Sequence, residues 1–300
     1  MHENKAIILA TFGTTVETAV SGLLSMCRTM SDAFPGIPVT MAFTSNQIRW
    51  IWQRRARDPV YLNAHPDIPG EILKIQGVLA AIANLQDRGV DTLIVQPTHI
   101  VPAEEFHDLG SYIRGLTSIT TMKPKWRPFK TIALGRPLLG SYHLQRPYSG
   151  DIRRVAEALS EDAALARDRK AALVYMGHGN RFFPSGGLYL EFAARMRQLY
   201  PDVLTLIATA EGFPALDDIL TDLRHHEVRR VILKPFLLVA GEHASRDLAG
   251  PEEDSWLSRL TEQGFEVTPV LAGLNENPDL VQILIDHAAE AAADAGVELP

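Results

Sequence analysis

Short runs of Val, Ile and Leu alternate with amphipathic helical stretches along the whole chain, and that alternation leaves few folds open. Residues 6–12, 39–44, 92–96 and 131–134 read as strands in the first half. Residues 171–176, 204–208, 230–233 and 266–270 read as strands in the second. Runs this apolar, bounded by Gly or Pro, suit strands buried on both faces. The segments between them are helical by apolar spacing: 17–33, 68–88, 151–166, 187–199, 216–225 and a terminal helix at 278–296. Strands joined by helices of this length imply parallel βαβ units.

The two halves resemble each other. LIVQPTHIVPAEEFHDL (residues 93–109) aligns with VILKPFLLVAGEHASRDL (residues 231–248), Gln96 falling on Lys234 and Pro97 on Pro235. The Gly turns TFGTT and MGHGN follow each half's first strand. The expected class is therefore α/β, an internal duplication of two Rossmann-like lobes whose parallel sheets face each other across a cleft. An N-terminal lobe is expected over residues 1–140 and a C-terminal lobe over 141–300. The Gly-, Pro- and Ser-rich stretch 137–150 marks the boundary, and the terminal helix is free to pack back on the first lobe.

Ligands of open α/β sheets bind beyond the carboxyl ends of the strands. His178 follows the run AALVYMG, Glu211 follows VLTLIATA, and His243 follows VILKPFLLVAGE. Two imidazoles and a carboxylate at equivalent strand ends suit a borderline divalent cation such as Co, Ni, Fe or Zn. His99, after the third strand, holds the first-lobe position that corresponds to Leu237. Arg49, Arg136, Arg181, Lys234 and Arg246 lie near strand ends and offer cations to an acidic ligand. The cluster Arg54, Arg55 and Arg57 reads as a solvated helix face.

Composition excludes other classes. The formal net charge of −7 argues against a nucleic-acid partner. Cys27 is the only cysteine, which rules out an internal disulfide or a Cys-based zinc or iron–sulfur site and fits a reducing cytoplasm. No apolar run is long enough for a transmembrane helix, and MHENKAIILATFG lacks the layout of a signal peptide. No phosphate-binding P-loop and no G-x-G-x-x-G appears, so no nucleotide is expected.

The strings FGTT, MGHG, ATAEGFP, LLVAGEHASRDLAG and EEDSW resemble the anaerobic sirohydrochlorin cobaltochelatases of cobalamin biosynthesis, members of the class II chelatases. The likeness runs from the first strand to the terminal helix. It implies a tetrapyrrole in a cleft between two lobes, with the family's site residues falling on His178, Glu211 and His243 and its first-lobe histidine on His99. Glu242 stands where the family has Asp, and residues 54–69 match poorly. The activity implied is ATP-independent insertion of Co2+, itself a substrate, into sirohydrochlorin or precorrin-2. His178, Glu211 and His243 would hold the metal and the imidazoles would take the pyrrole protons. His99 and Arg246 would contact the substrate. Some periplasmic relatives bind haem through a first-lobe histidine; no haem is expected here. A cytoplasmic homo-oligomer, without nucleic-acid or membrane partners, is the expectation. A sirohydrochlorin ferrochelatase and a non-catalytic tetrapyrrole or metal carrier stay open as alternatives, because Co2+ and Fe2+ accept the same ligands.

Overall fold

Burial on both faces makes the apolar runs strands. In the first unit the elements run β1 (Lys5–Thr11), α1 (Glu17–Ala33), β2 (Val39–Phe43), α2 (Asn46–Arg55), α3 (Pro59–Ala64), α4 (Gly70–Leu73), α5 (Val78–Asp87), β3 (Thr92–Pro97), α6 (Glu104–Thr117) and β4 (Thr131–Leu134). The second holds α7 (Tyr148–Ala158), α8 (Ser160–Arg169), β5 (Ala172–Gly179), α9 (Gly186–Leu199), β6 (Thr205–Glu211), α10 (Leu216–His225), β7 (Arg230–Phe236), α11 (Trp256–Glu262) and β8 (Glu266–Pro269). A last helix, α12, spans Pro278–Asp294. The computed structural model describes residues 4–241 and 243–300, the side chain of His243 excepted. The first unit runs to Pro137 and takes in Val281–Pro300; the second is Leu138–Leu280.

Each unit is a four-stranded parallel sheet. The orders are β2-β1-β3-β4 and β6-β5-β7-β8, the same topology twice. The register agrees residue by residue. Ile7 pairs with Val39 as Leu173 pairs with Thr205, and Leu9 faces Gln96 as Tyr175 faces Lys234. Gln96 and Lys234 are thus structural equivalents, as the sequence alignment had them.

In the first unit one sheet face sends Ala6, Ile8 and Ala10 against Val78, Ile82 and Leu85 of α5 and Leu109 and Ile113 of α6. The other face is the side of Leu9, Thr11 and Gln96. Helix α1 buries Val20, Leu23 and Met30 at helical spacing. Each such residue contributes about 1.5–3 kcal/mol by leaving water. The second unit repeats the scheme with Val174, Met176 and Leu233 against Ile219 and Leu223 of α10.

Polar equivalents of the two sheets solve one problem differently. Lys234, enclosed at 12% side-chain exposure, pairs with Asp162 of α8, whose other oxygen accepts from the buried Tyr175 hydroxyl at 2.7 Å. Gln96 instead donates to the carbonyls of Pro97 and Arg136. Arg136 is ion-paired with Glu290 of α12 at 2.6 Å. Lys234 and Arg136, two cations that sequence position offered to an acidic ligand, are therefore internal braces.

Two expected helices are broken. Residues 68–88 form α4 and α5, separated where Phe43 N–H donates to Gln76 O at 2.9 Å and Phe43 bridges Gly77. The chain there extends β2's ladder rather than its own helix. Residues 151–166 fall in α7 and α8, which meet at Leu159. Asn277 Nδ2 donates to Ala158 O at 2.8 Å, taking that carbonyl for a tertiary bond.

The stretch 54–69, unassigned by sequence, locks the loop after β1. Trp52 is fully buried and its indole donates to Thr14 O at 2.7 Å. Arg55 is not merely solvated: it donates to Thr15 O at 2.7 Å and covers the rings of Trp52 and Tyr61. Tyr61 and His65 both reach the Glu17 carboxylate, at 2.7 and 2.8 Å.

Candidate metal-handling site at the end of the second sheet

The chemistry-bearing strand ends lie further along the ladder than the apolar runs indicate. β5 and β6 stay paired through Gly177↔Thr209 and Gly179↔Glu211, so His178 and Glu211 close their strands instead of starting loops. The pleat alternates side chains. Gly179 and Glu211 are ladder partners and share a face, so Glu211 leaves on the face of Gly179 and His178, one residue back, leaves on the other. Both are half-buried.

Tight turns fix this edge. Gly179 has φ +71°, and a Cβ there would lie 1.8 Å from Glu211 O. Only glycine lets the two backbones come so close. Gly212 stands likewise against Asn180, its missing Cβ 2.4 Å from Asn180 O. Asn180 Oδ1 accepts from the N–H groups of Phe182 and Phe183, both at 2.8 Å. Thr209 closes the other turn by donating from N and Oγ1 to Pro214 O, at 2.6 and 2.9 Å.

His178 Nδ1 lies 3.0 Å from Gly179 O. A carbonyl only accepts, so in the neutral ring this contact selects the tautomer with the proton on Nδ1 and the lone pair on Nε2. Glu211 stands 3.7 Å from the Arg181 guanidinium, in a pair open to water. A pair this exposed is worth about 0–1 kcal/mol. It orients the carboxylate without consuming its affinity for a cation.

His243 begins the turn His243–Leu248 that follows β7; its side chain lies outside the described residues. Beyond β7 the loop is held by Leu274 and Asn275, which donate to the carbonyls of Leu237 and Leu238. Arg246, in that turn, bonds Asp247 Oδ1 at 3.0 Å and is largely exposed. Among the described residues no three His, Cys, Asp or Glu side chains come close enough to hold a metal. The structure therefore places His178 and Glu211 on adjacent strand ends, on opposite faces of the ladder, and among the described residues shows no shared metal position for the three expected residues.

The first unit carries different residues at the same register. Phe12 stands where the second unit has His178, and Ser45 where it has Glu211. His99 follows β3, its Nε2 3.1 Å from Thr44 Oγ1. Its Nδ1 is enclosed and has no hydrogen-bond partner among the described residues. Burial pushes its pKa down to about 4, so the ring is neutral near pH 7. Glu104 and Glu105 occupy the first turn of α6, where the helix dipole favours carboxylates. Sequence reasoning passed over Asn180, Phe182 and Phe213. The available signal was an aromatic residue one or two places beyond a strand-ending glycine turn.

A description of the cobalt chelatases (CbiK) matches residues 5–293. The chain belongs to the cobalt chelatase family. The sirohydrochlorin cobaltochelatase CbiKC of Nitratidesulfovibrio vulgaris is 33% identical over 287 residues, covering 96% of this chain and 90% of the relative. The sirohydrochlorin cobaltochelatase of Salmonella typhimurium is 27% identical, covering 96% of each. Among solved structures, SirB from Bacillus subtilis with Fe3+ covers 98% of this chain and 97% of its own, with a TM-score of 0.61 at 14% identity. The sirohydrochlorin chelatase SirB of Bacillus subtilis subspecies spizizenii, in complex with cobalt, gives a TM-score of 0.60 at 15% identity over the same shares. At that identity the likeness shows the shared fold. Among the described residues of this cobalt chelatase, no helix is long and apolar enough to cross a membrane.

Proposed function

We propose that this protein inserts Co2+ into sirohydrochlorin without ATP, working at the carboxyl end of the second sheet. The observation that carries this reading is the family match over residues 5–293, joined by an imidazole and a carboxylate on adjacent strand ends. The Nitratidesulfovibrio relative, named a sirohydrochlorin cobaltochelatase, supports the choice of metal and macrocycle.

Insertion requires that the metal shed water, that two pyrrole N–H protons leave, and that the ring turn its nitrogen lone pairs to the metal. His178, Glu211 and His243 hold the incoming Co2+ and leave coordination positions open for the pyrrole nitrogens, as a catalytic site must. His178 offers its lone pair at Nε2. Each of the two histidines, on giving up its metal bond, takes one of the two pyrrole protons as a general base. Glu211 exchanges Arg181 for the cation. Arg246 draws the carboxylates of the substrate. The reaction takes place in the cytoplasm, in a homo-oligomer, with no haem.

The test is spectroscopic. Sirohydrochlorin and Co2+ are mixed with substoichiometric enzyme and the metal-free absorption bands are followed. Many turnovers per chain are expected for the native protein. For a folded His178→Ala variant a loss of about 100-fold or more is expected. A shift that stops at one equivalent identifies a carrier. Near-native turnover by the variant removes His178 from the site, and faster insertion of Fe2+ than of Co2+ moves the assignment to a ferrochelatase.

A further inference from the structure

Two aromatic side chains beside the site are left in water on turns that are not free to move. Phe182 is 90% exposed and Phe213 60% exposed. Scattered exposed apolar residues are ordinary, but these differ in how they are held. The Asn180 carboxamide fixes the Phe182 turn through two backbone bonds. The Thr209 bonds to Pro214 O close the Phe213 turn. The two turns also pack on each other, Gly212 lying against Asn180 O. Gly186 seals the other side, its missing Cβ 2.5 Å from Phe213 O and 3.0 Å from the ring.

We infer that Phe182 and Phe213 form an apolar platform for a flat conjugated macrocycle, with Arg181 taking one of its peripheral carboxylates. The inference rests on the proposed tetrapyrrole chelation and names a substrate subsite for it. Three observations select this occupant. Phe182 lies four residues beyond His178 and Phe213 two beyond Glu211, on two turns that touch each other through Gly212 and Asn180. Arg181, next to Phe182 in the chain and 69% exposed, supplies a cation to an anionic rim. A π-face is best covered by another π-system, in offset or edge-on geometry. Because the turns are already closed by hydrogen bonds, binding has only the side chains to order, not the backbone that carries them.

Macrocycle binding is measured by fluorescence titration of metal-free sirohydrochlorin into the native protein, F182A, F213A and the double variant. Co2+ binding and thermal melting are recorded in parallel. Each single truncation is expected to raise the sirohydrochlorin Kd about 3- to 10-fold, and the pair about 10- to 100-fold. Co2+ affinity and Tm stay unchanged. In turnover KM rises, while kcat at saturation stays within about twofold. Phe213→Leu, which keeps apolar area but loses the π-face, falls between native and F213A and covers the case of a truncation that disturbs folding. A native protein that binds sirohydrochlorin, with a double variant that binds it equally well, overturns the platform and leaves the chelatase reading standing. A native protein that does not bind sirohydrochlorin overturns both.

Discussion

Gly179→Ala tests the link between the backbone turn and the chemistry most directly. The new Cβ would lie 1.8 Å from Glu211 O, whereas real Cβ contacts essentially never fall below 3.0 Å, so the strand ends must open by about 1.2 Å. The neighbouring atoms offer no relief, since Thr209 Cβ would be 2.6 Å away. The left-handed backbone adds about 1–2 kcal/mol for a residue bearing a Cβ, and overpacking adds about 1–3 kcal/mol. At about 2–4 °C per kcal/mol, a Tm fall of about 4–20 °C follows. A displacement near 1 Å in catalytic geometry costs about 100-fold in rate, and Glu211 and His178 are the residues displaced. The assay is Co2+ insertion at a temperature where the variant is fully folded by circular dichroism. Gly264→Ala is the control: its φ is +88° but nothing lies within 4 Å of the added Cβ. It should lose only the about 1–2 kcal/mol of backbone strain and keep its activity. Native insertion rates in folded Gly179→Ala would refute the claim that this contact positions the site.

Three further outcomes are expected. Asp162→Ala leaves Lys234 and the Tyr175 hydroxyl without their acceptor inside the second unit. It should cost about 3–5 kcal/mol in urea unfolding, and adding Lys234→Met should recover much of the loss; an additive double variant would count against coupling. His99 titrates at about 4 when folded against 6.5 in the open chain. Below pH 6.5 the unfolded state therefore holds the extra proton, and stability falls with falling pH, by about 3 kcal/mol at pH 4. His99→Gln should flatten that slope, and an unchanged slope in urea titrations at pH 6.5, 5 and 4 would exclude His99 as its source. Arg246→Glu should raise the KM for sirohydrochlorin more at low salt than at high salt, because exposed charges are screened; a salt-independent KM would remove Arg246 from substrate capture.

The architecture was legible from the apolar pattern of the chain. Unbroken apolar strands need cover on both faces, and helices of fixed length between them allow little but parallel βαβ units. Repetition of that pattern, with Gln96 set on Lys234, anticipated two sheets of one topology. His178 and Glu211 were singled out because they follow apolar runs, and they do close β5 and β6, whereas His243 lies seven residues beyond the end of β7. What pattern could not carry was any contact between distant residues. Nothing local to Lys234 or Arg136 says that Asp162 and Glu290 enclose them. Nor does anything in residues 68–88 foretell that Phe43 claims Gln76 and interrupts a helix. The ladder beyond the apolar runs, through Gly179 and Glu211, is invisible to hydrophobic periodicity because small and polar residues build it. Periodicity reports which groups avoid water. Which groups meet is set by packing in three dimensions, since hydrogen bonds, ion pairs and close backbone approaches depend on distances that chain order does not encode.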